Sequence, residues 1–250
     1  MNYPNRVIKQ GETNTTIVTA IQKRLIELGC GTFTTFGTYG PKTVAAVKLF
    51  QSMNRDDHGN PLEVDGKIGS ISWVALFGIE EVPTSDKPDN DLLKETLKVA
   101  RSQVGIMEVP PNSNRGPEVD SYLKCVNCPP GSYWCAAFVY WCFNEAAKKL
   151  ERANPLYKTA GCLEHWNRSK AKKIAARDAV NNPSLVKPGQ IFIMDHGGGF
   201  GHTGIVEKVE GGFIYTIEGN SNPSGSRNGI GVFPLIRKIA KINKGFLEYK

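Results

Sequence analysis

Cys135 stands in Tyr133-Trp134-Cys135-Ala136-Ala137-Phe138-Val139, directly after the turn-forming run Pro129-Pro130-Gly131-Ser132. A helix starting at about Tyr133 puts this cysteine in its first turn, where unpaired amides and the positive end of the helix dipole favour a thiolate over a thiol. Such a nucleophile needs a base, and the base needs a group to orient it. His202 is the candidate base, and Glu218 and Asn220 are the candidate orienters. Cys135 would attack an electrophilic carbon. His202 would accept the thiol proton, or hold it as an ion pair at rest, and later deliver it to the leaving group. A carboxylate stabilises an imidazolium more strongly than an amide does, so Glu218 ranks ahead of Asn220, which is then a polar group of the site. The amide of Cys135 at the helix start is a natural oxyanion donor.

Helices come first in this part of the chain and strands after. Leu92, Leu93, Leu97, Val99, Ala100 and Val104 outline one helix, and residues 118–126 a second. The nucleophile helix is apolar nearly all round, as a central helix should be. A further helix with a basic side is expected from about Leu163 to Ala179. Beyond Asn181 the apolar period becomes two: Ile191–Met194, His202–Val209, Phe213–Glu218, Gly229–Ile236 and Gly245–Tyr249 read as strands, giving an α+β domain with an antiparallel sheet. If the Glu210-Gly211-Gly212 loop sets Val209 opposite Phe213, His202 lies opposite Asn220, with Glu218 one pair away on the same face. A helix start packed on that face would bring thiol, imidazole and orienter together.

The remaining thiols and histidines are assigned no chemistry. Cys142, two turns after Cys135, is expected in the core, and Cys162 is expected to be inert. His58, His165 and His196 read as surface or loop residues. Cys125-x-x-Cys128 has the spacing of half a zinc site, but no second pair complements it, so neither a metal nor a cofactor is expected.

Before this domain, helical periodicity appears over residues 15–28, from Pro41 to about Ser52, and after Asp65-Gly66-Lys67-Ile68-Gly69, with Ser70 as the expected cap of a third helix. These make a small three-helix bundle over residues 1–82. Trp73 and Phe77 fall on its apolar face. It carries an internal echo: Gly37-Thr38-Tyr39-Gly40 and Gly66-Lys67-Ile68-Gly69 each precede a helix. Residues 83–90, polar and with two prolines, read as a linker, leaving 91–250 as the second domain. The net charge of +7 is uneven, since residues 1–82 have eight basic and eight acidic side chains whereas 91–250 have 22 and 14. A basic face suits a polyanion, cell-wall polymers included, but no nucleic-acid recognition motif accompanies it. The clusters at Lys148–Arg152, Arg168–Arg177 and Arg237–Lys244 are each expected on solvated helix faces. No run is long and apolar enough to span a membrane, and Met1-Asn2-Tyr3-Pro4-Asn5-Arg6 lacks the apolar core of a signal peptide.

Two resemblances follow. Ala20-Ile21-Gln22-Lys23-Arg24-Leu25, the Gly37–Thr43 turn, Ala45 through Gln51 and Val64 through Leu76 resemble the peptidoglycan-binding module found beside many cell-wall hydrolases, with Phe36 where that family usually has Asp. The Tyr133–Val139 motif, Lys187-Pro188-Gly189-Gln190-Ile191-Phe192, Gly201-His202-Thr203-Gly204-Ile205-Val206 and Ile217-Glu218-Gly219-Asn220-Ser221-Asn222 resemble, in order, the CHAP family of cysteine- and histidine-dependent amidohydrolases and peptidases. This second resemblance covers most of residues 91–250 and implies a papain-like fold. Together they imply a peptidoglycan hydrolase: an N-acetylmuramoyl-L-alanine amidase by family preference, or an endopeptidase of stem or cross-bridge peptides. The alternative is a non-catalytic wall-binding protein with a decayed triad. The implied partner is bacterial peptidoglycan, and an endolysin, or an injected toxin with an immunity or delivery protein, fits a chain made in the cytoplasm that acts on the wall.

Overall fold

The computed structural model describes residues 1–224 and 229–250. The chain forms two compact units: Met1–Thr84 with the short segments Val180–Ser184 and Glu210–Gly212, and Ser85–Ala179 with Leu185–Val209 and Phe213–Lys250.

The first unit holds α1 (Thr15–Glu27), α2 (Pro41–Met53) and α3 (Ser70–Phe77). Asn14 caps α1 by accepting from the Ile17 amide. Ser70 is the first residue of α3, not its cap; that place belongs to Gly69, as Gly40 stands before Pro41 at α2. Ile21 and Leu25 of α1, Val47 and Phe50 of α2, and Trp73 and Leu76 of α3 are buried in one core. The sequence echo has a structural basis. Gln22 Oε1 accepts from Gly37 N at 2.8 Å and Gln22 Nε2 donates to Thr38 O, while Gln51 Oε1 accepts from Gly66 N at 2.8 Å and Gln51 Nε2 donates to Lys67 O. Each buried glutamine therefore satisfies the backbone of the glycine turn leading into the next helix. Both Gly37 and Gly66 have positive φ, which disfavours a side chain there.

In the second unit, α4 (Asp91–Ser102) and α5 (Pro117–Cys125) pack on α6 (Cys135–Lys149), and α6 also packs on the sheet. Ala137, Phe138, Val139, Cys142, Phe143 and Ala146 are buried along α6, which confirms it as the central helix and Cys142 as core. The expected helix from Leu163 to Ala179 is instead α7 (Cys162–Arg168), strand β1 (Lys172–Ala175) and α8 (Ala176–Asn181). Strands β2 (Ile191–Gly197), β3 (Phe200–Glu210), β4 (Phe213–Ser221), β5 (Gly231–Lys238) and β6 (Gly245–Glu248) complete a six-stranded antiparallel sheet in the order β1-β6-β2-β3-β4-β5. β1 escapes the helix because its backbone can pair along β6, from Lys172 opposite Glu248 to Ala175 opposite Gly245. Gly245 permits the closure: φ is +144°, and an added Cβ would lie 2.1 Å from the Ile174 carbonyl oxygen. The architecture is α+β, with an N-terminal helical module.

Candidate active site

Cys135 is the first residue of α6, so its own N–H has no partner within the helix. Its side chain is buried with Ala136 and Cys162. The start of α6 can reach the sheet because β4 carries a glycine opposite it: a Cβ at Gly219 would lie 2.6 Å from Phe138 Cγ and 2.7 Å from Trp134 Cζ3. Gly204 plays the same part inside the sheet, where a Cβ would lie 2.7 Å from Glu218 Cγ. These two glycines flank the carboxylate and let helix and strands close around it.

His202 of β3 and Glu218 of β4 are both buried, and His202 Nε2 lies 2.7 Å from Glu218 Oε2. The other ring nitrogen, Nδ1, is buried and makes no hydrogen bond to a described residue, so it remains for the thiol. Glu218 is itself held from three directions. Arg237 of β5 donates Nε to Oε1 and Nη2 to Oε2, each at 2.6 Å, and the Thr216 hydroxyl donates to Oε1 at 2.6 Å. A carboxylate so saturated is fixed in rotamer and in charge, and it fixes the imidazole in turn.

The ionisation states follow from these partners. Burial alone would raise the Glu218 carboxyl, but hydrogen bonds and charge from Arg237 and His202 outweigh it and bring it to about 2. Burial likewise opposes the imidazolium, yet Cys135 and Glu218 together hold His202 at about 9. Cys135 lies well below the ordinary thiol range: its interaction with the Cys162 S–H is the largest cause, burial opposes it, and His202 and the Ala136 amide add to the lowering. Cys162 is pushed well above that range, first by Cys135 and then by burial. These directions favour a Cys135 thiolate beside a His202 imidazolium, with Cys162 as a neutral thiol.

Asn220 does not bond to His202. The pairing of β4 with β5 shifts between Glu218 and Ser221, a bulge, and Asn220 has φ of +51°. The bulge re-aims the side chain. In the orientation that satisfies both ends of its amide, Oδ1 accepts from the Trp134 N–H at 3.3 Å and Nδ2 donates to the Gly229 carbonyl at 3.2 Å. Asn220 thus ties β4 to the residue preceding Cys135. Trp134 is also held by Glu108, whose Oε1 accepts from the indole N–H at 2.9 Å. A cleft of about 150 Å³ opens onto Cys135, lined also by Tyr133, Gly161, Cys162, Phe200 and Asn220.

Residues 127–220 match the family model of the CHAP domain, and residues 14–76 match that of a putative peptidoglycan binding domain. The two matches together give the architecture of a peptidoglycan-binding domain followed by a CHAP domain. Comparison with curated proteins and with solved structures gives no significant match. The pair of domains supports a cell-wall hydrolase or binder, and CHAP domains are typically cysteine-dependent amidases or peptidases.

Four further side chains lie at this candidate site that were not expected there. Cys162, expected to be inert, lies with its Sγ 3.4 Å from that of Cys135. Arg237, grouped with solvated charges, is largely buried against Glu218. Thr216 and Glu108 complete the set. Thr216 lies two residues before Glu218 on its strand, a period-two signal for one face; the others carry no local signal. His165, expected in a loop or at the surface, is buried in α7 with Nε2 2.7 Å from the Tyr249 hydroxyl, and burial lowers it to about 4.

Proposed function

We propose that this protein hydrolyses an amide bond of bacterial peptidoglycan, with residues 1–82 binding the wall, 83–90 linking, and 91–250 carrying out the cleavage. The observation that supports it most is the orientation of His202: Nε2 is engaged by a fully satisfied Glu218, which leaves Nδ1 to serve a buried thiolate. This is the division of labour of a papain-like site, defined by roles.

In this mechanism the Cys135 thiolate attacks the carbonyl carbon of an amide held in the cleft. The Cys135 N–H at the start of α6 stabilises the developing oxyanion, helped by the helix dipole. His202 gives its Nδ1 proton to the leaving amine, the C–N bond breaks, and an acyl-thioester remains. Water then enters, His202 Nδ1 takes its proton, and hydroxide attack releases the acid and restores the thiolate. Glu218 keeps the ring oriented and charged when needed, while Asn220 and Glu108 set the entry of α6 through Trp134. The amide between the sugar lactyl group and the stem peptide is the preferred bond, ahead of those within or between stem peptides.

Mass spectrometry of fragments released from purified peptidoglycan tests this. The wild type should generate new amino termini at the start of the stem peptide, and Cys135→Ala should generate none. Termini within the stem would replace the amidase by an endopeptidase. No release by the wild type, or identical release by the variant, would sink the enzyme and leave a wall binder.

A further inference from the structure

Cys162 is a thiol at the cleft to which amide hydrolysis assigns no bond-making or proton-transfer step. Its Sγ is 3.4 Å from the Cys135 Sγ, and both sulfurs lie in one small buried cluster that borders the cleft. Cys162 is the first residue of α7 and comes from a different element than Cys135, so the contact is made by tertiary packing and not by chain proximity. The remaining described cysteines are also free thiols. Closing the gap to a disulfide of about 2.05 Å needs the sulfurs to approach by roughly 1.4 Å, within reach of side-chain rotation and small backbone adjustment.

We propose that Cys135 and Cys162 are a reversible dithiol–disulfide pair, an oxidative modification site that switches the nucleophile off and protects it from irreversible oxidation. The oxidant is a hydroperoxide, the smallest being hydrogen peroxide, which fits the cleft. The Cys135 thiolate attacks one peroxide oxygen; the O–O bond breaks, an S–O bond forms, and hydroxide leaves. Sulfur is oxidised by two electrons and the peroxide is reduced. Cys162 then loses its proton and attacks the sulfenic sulfur: the S–S bond forms, the S–O bond breaks, and the oxygen departs as water. A dithiol reductant reverses the change by thiol–disulfide exchange. The poised thiolate beside a resolving cysteine, both at a cleft open to a small oxidant, is the arrangement that favours a disulfide over further oxidation.

The inference rests on Cys135 being the reactive thiolate, but its test reads sulfur chemistry and not peptidoglycan turnover, so the two readings fail separately. The full chain is treated with a small excess of hydrogen peroxide, the remaining thiols are alkylated, and peptides are mapped by mass spectrometry before and after dithiothreitol. A Cys135–Cys162 linkage that forms first, and full return of Cys135 alkylation on reduction, are expected. In Cys162→Ala, Cys135 should pass to sulfinic or sulfonic acid and not return. Cys135 sulfinic acid in the wild type with Cys162 still a free thiol would overturn the proposal, as would a linkage confined to Cys125 and Cys128. The wild-type mapping decides the matter even if the variant does not fold.

Discussion

The helical module and the CHAP domain both bury polar side chains, and they use them differently. In the module, Gln22 and Gln51 spend their amides on the backbone of the Gly37 and Gly66 turns, and Thr43 bonds to Thr38 O. The ionisable groups at these turns bond to Gln51 Nε2, in the case of Asp65, and to the Gly66 carbonyl, in the case of Tyr39, and not to one another. In the CHAP domain, Cys135, His202, Glu218 and Arg237 face one another, and each changes the ionisation of a neighbour. Buried polarity therefore does not mark a site by itself. Where the partners are backbone groups, it holds turns; where they are titratable side chains, it stores charge that chemistry can use.

That contrast can be broken most directly at the nucleophile and base. Cys135→Ala and His202→Ala should each lower the rate of fragment release by about 10⁴-fold or more, while Gln51→Ala should leave turnover of soluble peptidoglycan fragments within about 3-fold. A comparable loss of chemistry in Gln51→Ala would erase the distinction. Glu218→Gln should leave measurable residual turnover, because orientation is partly kept while the charge on the imidazolium's partner is lost.

Next in size is the buried ion pair. Arg237→Met takes the guanidinium from the buried Glu218 carboxylate and leaves it only His202 and Thr216 as partners, and denaturant titration of the full chain should show a loss of about 3–5 kcal/mol. Gln22→Ala or Gln51→Ala leaves turn amides without partners, at a smaller cost of about 1–3 kcal/mol. Equal losses in the two regions would mean that charge adds nothing to the cost of breaking a buried network.

The pH dependence sharpens the comparison further. Glu218 sits at about 2, below its ordinary 4.5, so its stabilising contribution is present above that ordinary value and is lost as pH falls toward 2. His202 is raised from 6.5 to about 9, so its contribution is complete below 6.5 and is lost as pH rises through 9. Turnover should accordingly fall on the alkaline side near 9, as the imidazolium that protonates the leaving amine disappears. Alkylation of Cys135 by iodoacetamide should already be rapid at mildly acidic pH. In Cys162→Ala that alkylation profile should move to higher pH, because the thiolate loses its S–H donor. An unshifted profile would assign the lowering to His202 and the Ala136 amide.

The smallest effect expected concerns packing. Gly219→Ala forces a methyl group against Phe138 and Trp134, and should cost about 1–3 kcal/mol while slowing Cys135 alkylation by displacing the start of α6. Thermal unfolding and the alkylation rate check the two parts separately.

Sequence alone outlined most of the elements and named residues that could carry chemistry. Helical period and glycine or proline stops outline α1 to α6 to within a few residues, because those signals are local. Period two marks β2 to β6 for the same reason. The segment from Leu163 to Ala179 misled, since β1 forms only when β6 offers an edge to pair with. The family motifs contain Cys135, His202, Glu218 and Asn220, but motif order does not say which side chain bonds to which. Only the folded chain decides that Glu218 takes His202 while the bulge sends Asn220 to Trp134. Only it brings in Arg237 and Cys162, which are ordinary basic and thiol residues until packing desolvates them beside Glu218 and Cys135. Residue type and spacing determine what a side chain can do; its partners and its burial, set by contacts distant in sequence, determine its charge.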